Sequence, residues 1–288
     1  MAAWTVERPT RITCEEDVRR LEVGLVVGRL TVIGTEGPAR VEVSRVGNRP
    51  IDVELADGVL RVRQRGFDSW PGRFSWIMHI AQRGTVDVSI AVPPTTEAHL
   101  GVLSGTVIAS GLRVRTDVQV TAGSVTLMGL SGHTRANLVS GPVEALGVAD
   151  ELVMDTVSGE LILADSPASR VRATAISGSI TCDLQGAADS DIRLDTTSGS
   201  ITTRVREDSD LSVDLHATAG RVTSAFPELR VERGMTGGAA GVHGRLGRGE
   251  GRLSASTISG SIALLSRPAV PGEDDEPAPA RRTAEGAA

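Results

Sequence analysis

The chain repeats itself on glycine. When its Ser-Gly and Ala-Gly pairs are aligned, Gly105, Gly123, Gly141, Gly159, Gly178, Gly199, Gly220 and Gly260 follow one another at spacings of 18, 18, 18, 19, 21, 21 and 40 residues. A short repeat confines a chain to architectures in which each unit buries its apolar face against the next, because one such unit has too little core to stand alone. The last gap is about two repeats long and reads as one unit lost or interrupted.

The residues around each glycine keep one pattern. Two places after it stand Val107, Val125, Val143, Leu161, Ile180, Ile201, Val222 and Ile262; five places before it stand Leu100, Val118, Ala136, Met154, Ala173, Leu194, Leu215 and Ala255. The residue four before it is small or polar, from Gly101 and Gln119 to His216 and Ser256. This alternation with period two describes strands with one buried face, and each unit reads as strand, Ser-Gly corner, strand. The glycine is expected to supply a backbone state that a β-carbon disfavours. Stacking such units about 4.8 Å apart predicts an all-β chain: a single β-solenoid, β-helix-like, with 18–21-residue coils and N-terminal hairpin insertions. A left-handed hexapeptide coil also has 18 residues, but it needs an apolar residue every six places, and Val120 is followed by Thr126.

The template extends towards the N-terminus, where Gly28 is flanked by Leu21, Val23 and Leu25 before and Leu30 and Val32 after. EEDVRRLEVGLVV at 15–27 admits a short helix, but its alternation and its glycines favour a strand. Asp57-Gly58 between two alternating runs signals a hairpin, and VDVSIAVPP a strand ended by Pro93 and Pro94. TGGAAGVHGRLGRGEG at 236–251 reads as a glycine-dense loop, and the Pro- and charge-rich end as a disordered tail. The chain thus divides into a lead-in at 1–17, N-terminal coils with a hairpin and an aromatic insertion at 18–95, regular repeats at 96–267 and the tail at 268–288.

Composition removes several functions. All 30 basic residues are arginine, so no lysine is present for a phosphate loop, a Schiff base or a Ser-Lys dyad. A formal net charge of −6 with scattered arginines argues against a nucleic-acid partner. Two cysteines, Cys14 and Cys182, make neither a disulfide framework nor a structural zinc site. The first twenty residues carry Glu, Arg and Asp where a signal peptide needs an apolar core of about 7–15 residues, and no run approaches about 18 apolar residues. A cytoplasmic chain with no direct membrane span is the expectation.

TAGSVTL, TVSGELIL, AISGSIT, TTSGSIT and TISGSIAL, with LEVGLVVGRLTVIG near the N-terminus, resemble the bacterial putative-adhesin or β-strand-repeat family of unknown function, with its Ser-Gly-x-Ile/Val repeats. The resemblance covers roughly residues 18–266. It implies a β-helix-like solenoid ended by the TISGSIAL rung and carries over no catalytic or ligand-binding residue. It also implies a link to envelope stress for some members and adhesion for others.

Each candidate site has a plainer explanation beside it. Ser104, Ser140, Ser158, Ser177, Ser198 and Ser259 form a column, more simply a set of turn serines bonded to local backbone than a ligand ladder. Asp155 and Asp195 share the outward position four before the glycine, where paired acids could hydrolyse a glycan or hold calcium, but Thr174 stands between them. The five histidines form no metal motif, and Cys182 falls on an inward position. Phe67, Trp70, Phe74, Trp76 and Met78 concentrate most of the aromatic residues and are expected to cap an end of the stack and offer an interaction surface. The expected function is a non-enzymatic scaffold or interaction module with no cofactor and no metal, meeting an unknown protein partner or a second copy. The alternative is an adhesive or glycan-acting extracellular β-helix.

Overall fold

The computed structural model describes residues 2–65, 84–185, 189–233 and 240–268, and these are entirely β. The N-terminal part holds β1 (Ala2–Val6), β2 (Thr10–Thr13), β3 (Arg20–Gly34), β4 (Arg40–Arg45), β5 (Ile51–Ala56), β6 (Val59–Gln64) and β7 (Val86–Val92). Long strands follow, β8 (Glu97–Ser110) and β9 (Thr116–Met128). The shorter ones after them are β10 (His133–Ser140), β11 (Val143–Leu146), β12 (Glu151–Ser158), β13 (Leu161–Ser166), β14 (Arg170–Ser177), β15 (Ile180–Leu184), β16 (Asp191–Ser198) and β17 (Ile201–Arg206). The chain closes with β18 (Leu211–Ser224), β19 (Arg230–Arg233), β20 (Ala240–Leu246) and β21 (Gly251–Arg267). Of residues 15–27, the stretch that admits a short helix, 20–27 belong to strand β3 and 15–19 lead into it without helix.

The repeat sets the register. Ala136 of β10 lies beside Val118 and Met154, and Val143 of β11 beside Val125 and Leu161, each partner one repeat away. Two walls result, β10, β12, β14 and β16 on one side and β11, β13, β15 and β17 on the other. The rows two after and five before each glycine are buried throughout, as the period-two pattern requires, and join one continuous core.

The architecture nevertheless differs from the expected solenoid. Strands β9 and β21 run unbroken through their glycine corners, so each pairs with both walls: β9 with β10 and β11, β21 with β16 and β17. The ladder β9–β10–β12–β14–β16–β21–β17–β15–β13–β11 therefore returns to β9 as a closed ring of ten parallel strands. The open β-solenoid or β-helix is corrected to a closed parallel barrel carrying extra strands. Alternation says which side chains face inward, but not whether a strand breaks or continues at a corner, and it is continuity in β9 and β21 that closes the ring.

Extra strands extend the barrel at two places. On one side β8 pairs with β9 and β3 with β8; β6 and β7 then each cover half of β3, and β5, β1, β4 and β2 add on antiparallel. Asp57 and Gly58, with φ of 53° and 76°, turn the β5–β6 hairpin as a two-residue loop. On the other side β21, last in sequence, lies between β16 and β18. The gap of 40 before Gly260 is thus not a lost repeat. It holds β19 and the antiparallel strand β20, which covers β18, and part of the stretch read as a loop is strand.

The corner glycines are required by space. Gly141 has φ 125°, and a β-carbon built on it would fall inside the carbonyl oxygen of Gly123; Gly123, with φ 141°, would collide likewise with Gly105. Close approach of stacked backbones, beyond the dihedral itself, keeps the column glycine.

Candidate interaction surface

The alternation that buries the core also determines what the corner exposes. Three before the glycine the side chain points in, as Leu138, Ala175 and Thr196 do, and the next points out; the corner then turns the chain so that the serine also points out. Two before the glycine this leaves Val139, Val157, Ile176 and Ile258 at 47%, 44%, 53% and 56% exposure, with Thr197 between the last two strands. Their serine neighbours pair in register from Ser140 through Ser158, Ser177 and Ser198 to Ser259, so the aliphatic residues form a ridge with one side chain about every 4.8 Å. It carries no charge, because every rung there is a Val, Ile or Thr followed by Ser. Isolated exposed aliphatics are ordinary; an aligned row of them is not.

The ridge is legible in the repeat, where VSG and ISG recur and place an aliphatic residue before each of those serines. The serines are exposed, and among the described residues none of Ser140, Ser158, Ser177, Ser198 and Ser259 bonds local backbone through its hydroxyl. The inward threonines bond across strands instead: Thr196 and Thr257 donate to the carbonyls of Gly178 and Gly199 at the corners of the neighbouring strands at 3.4 and 3.3 Å.

The acids do not converge on a site. Asp195 accepts from Arg193 Nε at 2.9 Å and from Ser256 Oγ at 2.6 Å, while Thr174 separates it from Asp155 in the register. Among the described residues no group of three or more His, Cys, Asp or Glu is placed to hold a metal ion. His99 Nδ1 lies 3.1 Å from Asp117, and His133 Nδ1 3.1 Å from Glu151, where the imidazole's hydrogen bond holds the Glu151 carboxyl below its ordinary range. Cys182 is buried, its thiol pushed up to about 12 by desolvation, and packs as a small hydrophobe on the inward row. Cys14 is also buried and its thiol raised, by desolvation and then by the charge of Glu16. Phe67, Trp70, Phe74, Trp76 and Met78 lie outside the described residues, as does the tail after residue 268.

Fold and surface together define an all-β module built on a parallel barrel, with an aligned aliphatic row on its outside. The chain belongs to the Toastrack DUF4097 family, whose profile matches residues 31–265. No curated protein matches the chain. Among solved structures it is similar to a "putative adhesin" from Bacteroides fragilis, at 13% identity over 90% of this chain and 98% of that one, with a TM-score of 0.49. It is also similar to a "putative cell adhesion protein" from Clostridium sporogenes (13%, 90% and 100%, TM-score 0.30) and a "putative lipid binding protein" from Parabacteroides distasonis (11%, 90% and 97%, TM-score 0.43). The expected cytoplasmic location is corrected against this adhesin-named company and is not retained. Among the described residues no helix is long and apolar enough to cross a membrane.

Proposed function

We propose that the chain is an adhesion module that meets a protein partner outside the cell through the ridge of Val139, Val157, Ile176 and Ile258. The observation that carries this reading is the ridge itself: half-exposed, uncharged aliphatic side chains on neighbouring strands, each beside a serine that pairs in register. A preformed apolar row loses little conformational freedom on contact, which favours binding. This adhesive reading replaces the intracellular scaffold, and an envelope-stress role is left as the weaker option. The aromatic stretch from Phe67 to Met78 is proposed as a second contact, of the composition enriched at interface centres.

Attachment of protein-coated beads to cell monolayers tests the reading. The parent should attach, protease treatment of the monolayer should abolish attachment, and V157D/I176D should lower it by about tenfold or more with an unchanged melting curve. Attachment that survives both the double substitution and the protease would overturn it. W70A/W76A tests the aromatic contact in the same assay.

A further inference from the structure

The outer face of the wall that contains β12, β14 and β16 is charged; one of its rows alternates in sign, Arg170, Asp191, Arg252, and the next does not. Along one outward row the register runs Arg135, Val153, Arg172, Arg193, Ser254 and Asp214, across β10, β12, β14, β16, β21 and β18. Arg172 and Arg193 are thus direct neighbours of like charge, an arrangement that destabilises a sheet unless something neutralises it. Arg193 is held by Asp195, but Arg172 takes part in no ion pair or side-chain hydrogen bond among the described residues, and neither does Arg252 two strands away. Val153 faces outward between Arg135 and Arg172 yet is only 9% exposed, as a short apolar residue sheltered by long arginine stems would be.

These residues line a cavity of about 640 Å³ that crosses β12, β14, β16, β21 and β18, within the range of ligand sites. Four arginines border it, Arg170, Arg172, Arg193 and Arg252, together with three carboxylates, Glu151, Asp191 and Asp214, and the hydroxyls of Ser212 and Ser254. Every strand of the floor is paired on both sides, so its backbone cannot take up an added peptide strand, and recognition falls to the side chains. Unpaired guanidinium forks call for an oxyanion. The interspersed carboxylates repel a bare polyanion but accept hydrogen bonds from hydroxyls. A ligand carrying both groups satisfies both sets.

We infer that this groove binds an acidic saccharide, one whose carboxylate or sulfate is held by Arg172 and Arg252 while its hydroxyls donate to Asp191 and Asp214. The groove shares no residue with the aliphatic ridge, so either can fail alone.

Isothermal titration at low salt tests the inference, with polygalacturonate for the carboxylate, dextran sulfate for the sulfate, and neutral dextran and inorganic polyphosphate as controls. The parent should bind at least one acidic polysaccharide and not neutral dextran. R172A/R252A should weaken that binding by about tenfold or more, the scale of losing hydrogen bonds to a charged group, with an unchanged melting curve. V157D/I176D should bind as the parent does. Binding to polygalacturonate or dextran sulfate alone supports the inference and names the oxyanion. Failure to bind either acidic polysaccharide overturns it, as does R172A/R252A binding like the parent, or polyphosphate binding as tightly as the saccharides.

Discussion

Ser256 donates a hydrogen bond of 2.6 Å to Asp195 across 61 residues of sequence, and in doing so marks where the last strand enters the sheet. Asp195 belongs to β16 and Ser256 to β21, which lies between β16 and β18 and joins the two walls. Ending the chain at residue 250 should therefore remove an interior strand and prevent cooperative folding, whereas S256A should cost about 1–2 kcal/mol. Circular dichroism melts check both. A truncated chain that melts like the parent would show that β21 is dispensable.

The glycine column separates two effects that are usually confounded. Gly141 and Gly37 both have positive φ, 125° and 111°, but a β-carbon on Gly37 meets nothing within 4 Å while one on Gly141 strikes the carbonyl of Gly123. G37A should cost about 1–2 kcal/mol, the price of the dihedral alone, and G141A at least about 3 kcal/mol because stacked backbones must part. Equal losses in urea titrations would mean that close approach contributes nothing.

Ile201 sits fully buried on the row two after the glycine, between Ile180 and Ile262. I201D puts a carboxylate into the core and should cost several kcal/mol or unfold the chain. I201V should cost about 0.5–1.5 kcal/mol. Coincident melts of I201D and the parent would refute the register.

Asp183 tests the outer face of the opposite wall. The hydrogen bond from Arg204, supported by the charges of Arg204 and Arg267, holds its carboxyl below the ordinary carboxylate value. A depressed folded-state pKa contributes stability above the unfolded value and loses it as pH falls through the folded one. D183N should thus be less stable than the parent at neutral pH, by about 1 kcal/mol or less because Arg204 is half exposed. The difference should shrink as pH falls below the ordinary carboxylate range. A gap that widens on acidification would contradict the assignment.

Much of this was already written in the chain. The period-two alternation about each glycine, as at Val143 and Ala136, determined which side chains form the core, and the 18-residue spacing determined which residues become neighbours. Asp57-Gly58 determined a hairpin for the same local reason: the turn's backbone belongs to those two residues. Tertiary structure alone decided the rest. Whether β9 and β21 pass through their corners unbroken depends on pairing to both walls, so closure of the barrel has no local signature. The placement of β21 before β18 is a choice among equivalent partners, since Ser-Gly rungs of one pattern fit one another in any order. The ridge and the arginine groove arise from the same cause: a side chain two, six or eight places before a glycine becomes part of a surface only when the neighbouring strands, distant in sequence, bring their own beside it.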